Sequence, residues 1–276
     1  MLNILLDLLF VGAFRWGVWS AALATVISQF ASVVLCIIYL MKRGNVFTVE
    51  LSKLRISRDM LGEILKYGLP SGVQNSVIAF ANVIVQSQIN SFGKFAMAAY
   101  GAHAKIEGFV FLPIMSFNMA TTTFIGQNLG ARQYERAKKG ARFGIITAVL
   151  LAEIVGVLMY ILAPRLVSMF DSSPQVIEYG VMQARTVSLF FFLLAFSHAV
   201  AAVCRGAGKA FVPMFVMIAV WCVIRVAYIA VVMHFFDDIA YIYPAYPITW
   251  AISSVIYLIY YLCSDWVHGF DKNKKA

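Results

Sequence analysis

Of the 276 residues, 62% are hydrophobic and 13% charged, with a mean hydropathy of +0.82; soluble domains run at roughly 45–50% apolar and about 25% charged, so a water-soluble globular fold is excluded. The net charge of +9 does not point to nucleic acid, because the bases fall in short gaps between long apolar runs and form no single basic face or stripe. Cys36, Cys204, Cys222 and Cys263 stand singly, with no CxxC spacing and no nearby His pair, which excludes a disulfide framework and predicts neither a metal site nor a cofactor.

A spanning helix needs about 20 mostly apolar residues. Residues 1–12 are apolar but only about half a crossing long at ~1.5 Å per residue. They lack the basic start and small-residue cleavage site of a signal peptide, and are predicted to be the tail of a helix. Seven full stretches follow, at 17–41, 64–89, 103–125, 143–162, 177–204, 210–236 and 243–263. They are too long, and too free of period-two alternation, to be strands of a membrane barrel. The predicted fold is all-α: a polytopic helical membrane protein with about seven transmembrane helices. Residues 1–41 are expected to close a first bundle, 42–63 to link, 64–264 to form a complete six-helix bundle, and 265–276 to be a tail.

Charge sets the orientation. Sixteen of the 22 Lys and Arg residues lie in every second gap: Lys42, Arg43, Lys53, Arg55, Arg58 and Lys66; then Arg132, Arg136, Lys138, Lys139 and Arg142; then Arg205 and Lys209; then Lys272, Lys274 and Lys275. The alternate gaps hold Arg15, Lys94 and Arg165 singly, and one holds Asp237 and Asp238 with no base. Short basic loops stay in the cytoplasm, so the chain is expected to be a multi-pass protein of the cytoplasmic membrane with its C-terminus inside. The bilayer is then its main partner, with anionic headgroups facing the basic turns.

In the second stretch, Ser71, Asn75, Asn82 and Gln86 share one helical stripe. Amides in hydrocarbon must face protein or water, so the stripe either lines a cavity or bonds between helices. In the third, His103, Glu107, Asn118 and Thr122 share a face. Glu107 is a candidate for exchanging a proton or holding a cation, with His103, Lys105 or Arg185 as its charge partner; the alternative is a static pair that locks two helices. Glu153, mid-span, is the second ion-coupling candidate, or else a hydrogen-bond partner for neighbouring backbone. Arg225 is expected to pair with an acid or with backbone carbonyls, and His198 to be a hydrogen-bonded packing residue. Pro113 and Pro213 are expected to bend their helices, and Gly126 and Gly130 to give a tight helix exit. Aromatics such as Phe80, Phe92, Tyr100, Phe109 and Phe117 are suited to stacking on flat cations, though most are expected on lipid or core. HExxH, GxSxG and GK[ST] are all missing from the sequence, so no catalytic residues and no nucleotide site are predicted.

Four segments carry a family resemblance: LNILLDLLFVGAFRWGVWSAALATVISQ at 2–29, LKYGLPSGVQ opening 65–88, TFIGQNLGARQYERAK at 123–138 and CRGAGKAFVPM at 204–214. Together they resemble the multidrug and toxic-compound extrusion (MATE) transporters. That resemblance implies two pseudo-symmetric six-helix lobes around a central cavity, of which this chain holds the end of the first and the whole of the second. It implies secondary active efflux of small organic cations by antiport, driven by H⁺ or Na⁺, with Asn75, Asn82, Gln86, Asn118 and Thr122 as candidate cavity residues. Some branches carry a carboxylate about two turns into the first helix of the second lobe. The matching stretch here, Ser76, Val77 and Ile78, has none, so the resemblance assigns no coupling ion. Two alternatives stand beside this reading: a fragment or half-transporter that needs a first lobe or second subunit, and a flippase of lipid-linked substrates within the same superfamily.

Overall fold

The computed structural model describes residues 1–42, Glu50 and 55–268, with Val18 as backbone only. The linker bases Arg43 and Lys53 and the tail bases Lys272, Lys274 and Lys275 lie outside the described residues. The chain divides into two compact units, Met1–Leu61 and Gly62–Ala276.

The first unit is a helical hairpin. Helix α1 (Leu2–Asp7) continues into a π-helical turn, Leu8–Ala13, and α2 runs from Val18 to Met41. Arg15 (φ 53°) and Gly17 (φ 82°) turn the chain between them, and Trp16 stacks on Phe10 and Trp19 across the corner. Asn3 Nδ2 donates to Thr25 Oγ1 at 3.3 Å. Among its described residues only Ser20 and Ala24 are buried, as expected of helices whose apolar surface meets hydrocarbon in place of a water-excluding core.

The second unit is a bundle of long helices: α3 (Arg58–Asn90, with its first turn in the other unit), α4 (Lys94–Gly130), α5 (Tyr134–Ser168), α6 (Pro174–Ser188), α7 (Phe191–Gly206), α8 (Phe211–Met217), α9 (Arg225–Phe235) and α10 (Ala245–Cys263). A π-helical turn, Ile218–Ile224, joins α8 to α9 without a break, and a 3-10 turn, Ile239–Tyr241, precedes α10. Among the described residues, five helices are long and apolar enough to cross a bilayer: Trp19–Met41, Lys94–Gly130, Tyr134–Ser168, Phe211–Phe235 and Ile239–Cys263. The α6–α7 pair, bent by 55°, makes a sixth if its two arms form one span. The expected seventh, 64–89, is a helix, but its polar stripe leaves α3 less apolar than a spanning segment. Helix α3 meets the bundle along one narrow face, Gln74, Ala81, Val85 and Ile89, where Gln74 Nε2 donates to Met217 Sδ at 2.7 Å.

Without a hydrophobic force between them, membrane helices associate through close packing of small residues, and α4, α5 and α7 do so. Ala137, Ala141, Ala148, Ala152, Ala199, Ala201 and Ala202 are all buried. A Cβ on Gly206 of α7 would lie 2.6 Å from the Thr122 carbonyl oxygen of α4. The core has three clusters: one around Leu129, Ala141, Val203 and Tyr257, a second around Ile114, Met159, Phe191 and Trp250, and a third around Val85, Ile89, Ile229 and Tyr243. Trp266 and Val267, just past α10, fold back into the first cluster, and Lys209 Nζ donates to the Asp265 carbonyl at 3.0 Å.

Two expectations about helix ends and bends are corrected. Gly126 lies inside α4 and Gly130 is its last residue, but the left-handed position at which the chain turns out of that helix is Arg132, φ 57°. There Gln133 N donates to Asn128 O and Arg132 N to Leu129 O, the two bonds of a Schellman motif. Pro213 sits in the first turn of α8, where its missing N–H has no intrahelical acceptor to lose. The sharp bend falls instead between Ser188 and Phe191, at a site with no proline. Glu153 Oε2 accepts from Phe192 N at 3.3 Å there, and Gly156 lets the Ser188 carbonyl come up against α5, where a Cβ would strike its oxygen.

Candidate functional site

A cavity of about 250 Å³ opens between α3, α4, α7, the α8–α9 π turn and α10. Its long wall is α4, which supplies Tyr100, Ala104, Glu107, Gly108 and Phe111, spaced at helical period along one face. Helix α3 contributes Ile78 and Asn82, α7 contributes Leu194, and α10 contributes Tyr246 and Trp250. Trp221 lies in the π turn and Arg225 is the first residue beyond it; single π turns recur at functional sites.

Arg225 is 3% exposed, and its guanidinium is built into the wall. Nε and Nη2 donate to Thr249 Oγ1 at 3.1 and 2.8 Å, and that hydroxyl donates in turn to the Ala245 carbonyl at 2.7 Å. The guanidinium plane lies over Tyr246 (4.6 Å) and Trp221 (5.1 Å), cation–π contacts that gain strength away from water. Tyr246 Oη is 3.3 Å from Tyr100 Oη, which ties α10 to α4. Across the cavity, the Glu107 carboxylate has no hydrogen-bond donor among the described residues, and Arg225 is the cation whose charge reaches it. The pocket therefore holds one unpaired acid and one anchored base within a ring of aromatic faces.

The sequence-derived candidates separate. Asn82 and Glu107 line the cavity. Asn75 is exposed, and Gln86 donates to Asn90 Oδ1 at 2.9 Å along its own helix. Thr122 Oγ1 donates to the Ala202 carbonyl at 3.1 Å and so fastens α4 to α7. Among the described residues, the buried Asn118 has no partner for either end of its amide and the buried His103 none for Nδ1. Lys105 lies over the Phe170 ring and Arg185 over Tyr160; neither stands at Glu107, where Arg225 takes that place. Glu153 sits at the α6–α7 bend, outside the cavity. His198 packs edge-on against Phe111 and Trp221, behind the cavity wall, but its Nε2 has no partner. It packs as expected without the expected hydrogen bond.

Sequence reasoning missed Trp221, Tyr246, Thr249 and Trp250 as a group. The signal was two i, i+4 pairs of aromatic and polar residues, Trp221–Arg225 and Tyr246–Trp250, hidden inside strongly apolar runs. Their meeting depends on how α10 lies against the π turn, which no local pattern encodes.

The fold and this cavity define a multi-pass helical membrane protein with an aromatic-lined cavity between its helices. Residues 70–231 match the MatE family, and the chain belongs to it. It is 28% identical over 268 residues to a probable multidrug resistance protein of Bacillus subtilis strain 168, YoeA, covering 93% of this chain and 57% of that protein. It is 28% identical over 230 residues to a probable multidrug resistance protein of Thermotoga maritima, NorM, covering 80% and 48%. Among solved structures it superposes on a transporter of the MOP superfamily from Pyrococcus furiosus with a TM-score of 0.87 at 24% identity, over 94% of this chain and 59% of the other. A MATE crystallised with MaL6 gives the same TM-score at 23% identity and the same coverage. The chain thus spans about half to three-fifths of the length of these relatives.

Proposed function

We propose that this lobe carries the substrate site of a secondary active antiporter that expels small organic cations across the cytoplasmic membrane in exchange for H⁺ or Na⁺, with its C-terminus in the cytoplasm. In this reading it works opposite a first six-helix lobe and uses no cofactor. The observation that carries the proposal is the unpaired Glu107 carboxylate in an aromatic cavity of about 250 Å³. A flat cation stacks on Tyr100, Trp221 or Trp250 with its charge toward Glu107. A proton or Na⁺ on the same carboxylate displaces it, so the two cargoes alternate. An intramembrane acid is costly to maintain and marks an ion or substrate path. Substrate sites near the midplane of repeated bundles fit alternating access. The anchored Arg225 favours a second reading, a lipid-linked anionic substrate, although the cavity is small for one.

The test is dye efflux in inverted membrane vesicles carrying this chain, alone and together with a first lobe. Glu107→Gln is expected to abolish pH-gradient-driven or Na⁺-driven ethidium transport while the amount inserted in the membrane stays unchanged. Undiminished coupled transport in the variant removes Glu107 from the mechanism.

A further inference from the structure

Between α4 and α5, on the other side of α4 from the cavity, runs a second, apolar groove of about 380 Å³ lined by Phe109, Val155, Leu158, Leu162, Met169 and Phe170, among others. At about 100° per residue, its α4 residues, Ile106, Phe109 and Val110, lie roughly opposite the cavity residues Ala104, Glu107 and Phe111. Phe109 is 73% exposed and Met169 79%. From Val155 to Met169 the groove follows α5 for about 21 Å at ~1.5 Å per residue, more than the ~15 Å half-thickness of a hydrocarbon core. Its length and lining therefore match one acyl chain within one leaflet.

Two cations lie next to residues at the groove's end. Lys105 Nζ stands 5.7 Å from the centre of the Phe170 ring, and Arg165 is exposed in the last turn of α5, one residue before Leu166 of the lining. Among the described residues neither has a carboxylate partner. The positive-inside rule accounts for bases in the basic turns, but these two lie at the other end of the lobe. The acid nearest Arg165 in sequence, Asp171, is engaged by its own turn: its Oδ1 accepts from Ser173 N at 2.7 Å, and the bonds from Ser173 hold its carboxyl below the usual carboxylate range; the acid nearest Lys105 in sequence, Glu107, lines the cavity on the other side of α4. A long side chain rooted in the span with its ammonium at the interface is the posture of a lysine that meets a headgroup.

We propose that this groove is a binding site for an anionic phospholipid of the outer leaflet, with an acyl chain along Phe109, Leu158 and Leu162 and the phosphate held between Lys105 and Arg165. The site is separate from the Glu107 cavity and holds whether or not the transport reading does.

The test uses a Phe109→Trp reporter in the full chain, reconstituted in bilayers that contain either phosphatidylglycerol or phosphatidylcholine with brominated acyl chains. Quenching is corrected for the native tryptophans with the parent protein. Each basic side chain near an anionic headgroup contributes about a fivefold preference, so phosphatidylglycerol is expected to associate about 25-fold more strongly. Lys105→Gln with Arg165→Gln brings the ratio to near one while quenching by brominated phosphatidylcholine persists, which shows that the protein is folded and inserted. Lys105→Arg keeps the preference. Equal quenching by the two lipids in the reporter protein, or a preference that survives the double substitution, overturns the proposal.

Discussion

Arg132 holds a left-handed backbone, φ 57°, at the end of α4, where a side chain costs about 1–2 kcal/mol relative to the right-handed region. The turn after α7 has the same two bonds, Lys209 N to Cys204 O and Gly208 N to Arg205 O, but places Gly208 (φ 74°) at the matching position. Arg132→Gly is therefore expected to raise stability by about 1 kcal/mol, less what glycine returns in unfolded-chain entropy, read as a higher unfolding midpoint in detergent. A lower midpoint would mean that the Arg132 side chain contributes more than its backbone costs. The sequence displays the glycines of TFIGQNLGAR, yet Gly126 lies within the helix and Gly130 is its last residue, and neither takes the left-handed position. What was legible there was the basic turn, because charge sets topology regardless of which residue takes the left-handed position. Glu107 and Asn82 were also legible, since polar side chains in apolar helices are conspicuous. Thr249 was not, because a lone threonine in a span reads as packing until Arg225 is seen to donate to it.

The bend between α6 and α7 illustrates what a linear pattern omits about an element. Residues 177–204 read as one apolar run, and prolines 113 and 213 were the expected bends. The 55° break instead depends on α5, a neighbour remote in sequence, which offers Glu153 as an acceptor and Gly156 as clearance. Gly156→Ala places a methyl group on the Ser188 carbonyl oxygen and is expected to cost about 1–3 kcal/mol by overpacking. Glu153→Gln keeps an oxygen for Phe192 N–H and should lose little, whereas Glu153→Ala leaves that donor unpaired and should lose about 1 kcal/mol or more. Thermal unfolding of the three variants in one detergent checks the ranking. A Gln variant as unstable as the Ala variant would show that the carboxylate's charge, and not its acceptor oxygen, matters at the bend. Helix α3 shows the complementary case: its polar stripe was visible, but only the fold shows that Asn82 faces the cavity while Asn75 and Gln86 do not.

For the whole molecule, composition and charge alternation already carried the class of fold, since hydrocarbon thickness and backbone hydrogen bonding leave few alternatives. The arrangement of the helices adds a parity condition. With each candidate span taken as a crossing, α5 crosses once from the turn at Arg132, the bent α6–α7 pair crosses back, and α8–α9 crosses again before Asp237 and Asp238. Three crossings would put those two turns on opposite faces of the membrane, with Arg132 and Lys209 sharing one. If the bent pair were a re-entrant loop returning to the face it left, the count would fall to two and the acidic turn would join Arg132. Single cysteines at Gln133, Asp237 and Lys209 in a cysteine-free background, probed with a membrane-impermeant maleimide, distinguish the two. In intact cells only Asp237→Cys should label, and all three should label once the membrane is permeabilised. Labelling at Lys209→Cys from outside, or protection at Asp237→Cys, would make the α6–α7 bend a re-entrant turn, and the lobe would lose the crossing that puts its cationic turns on one leaflet.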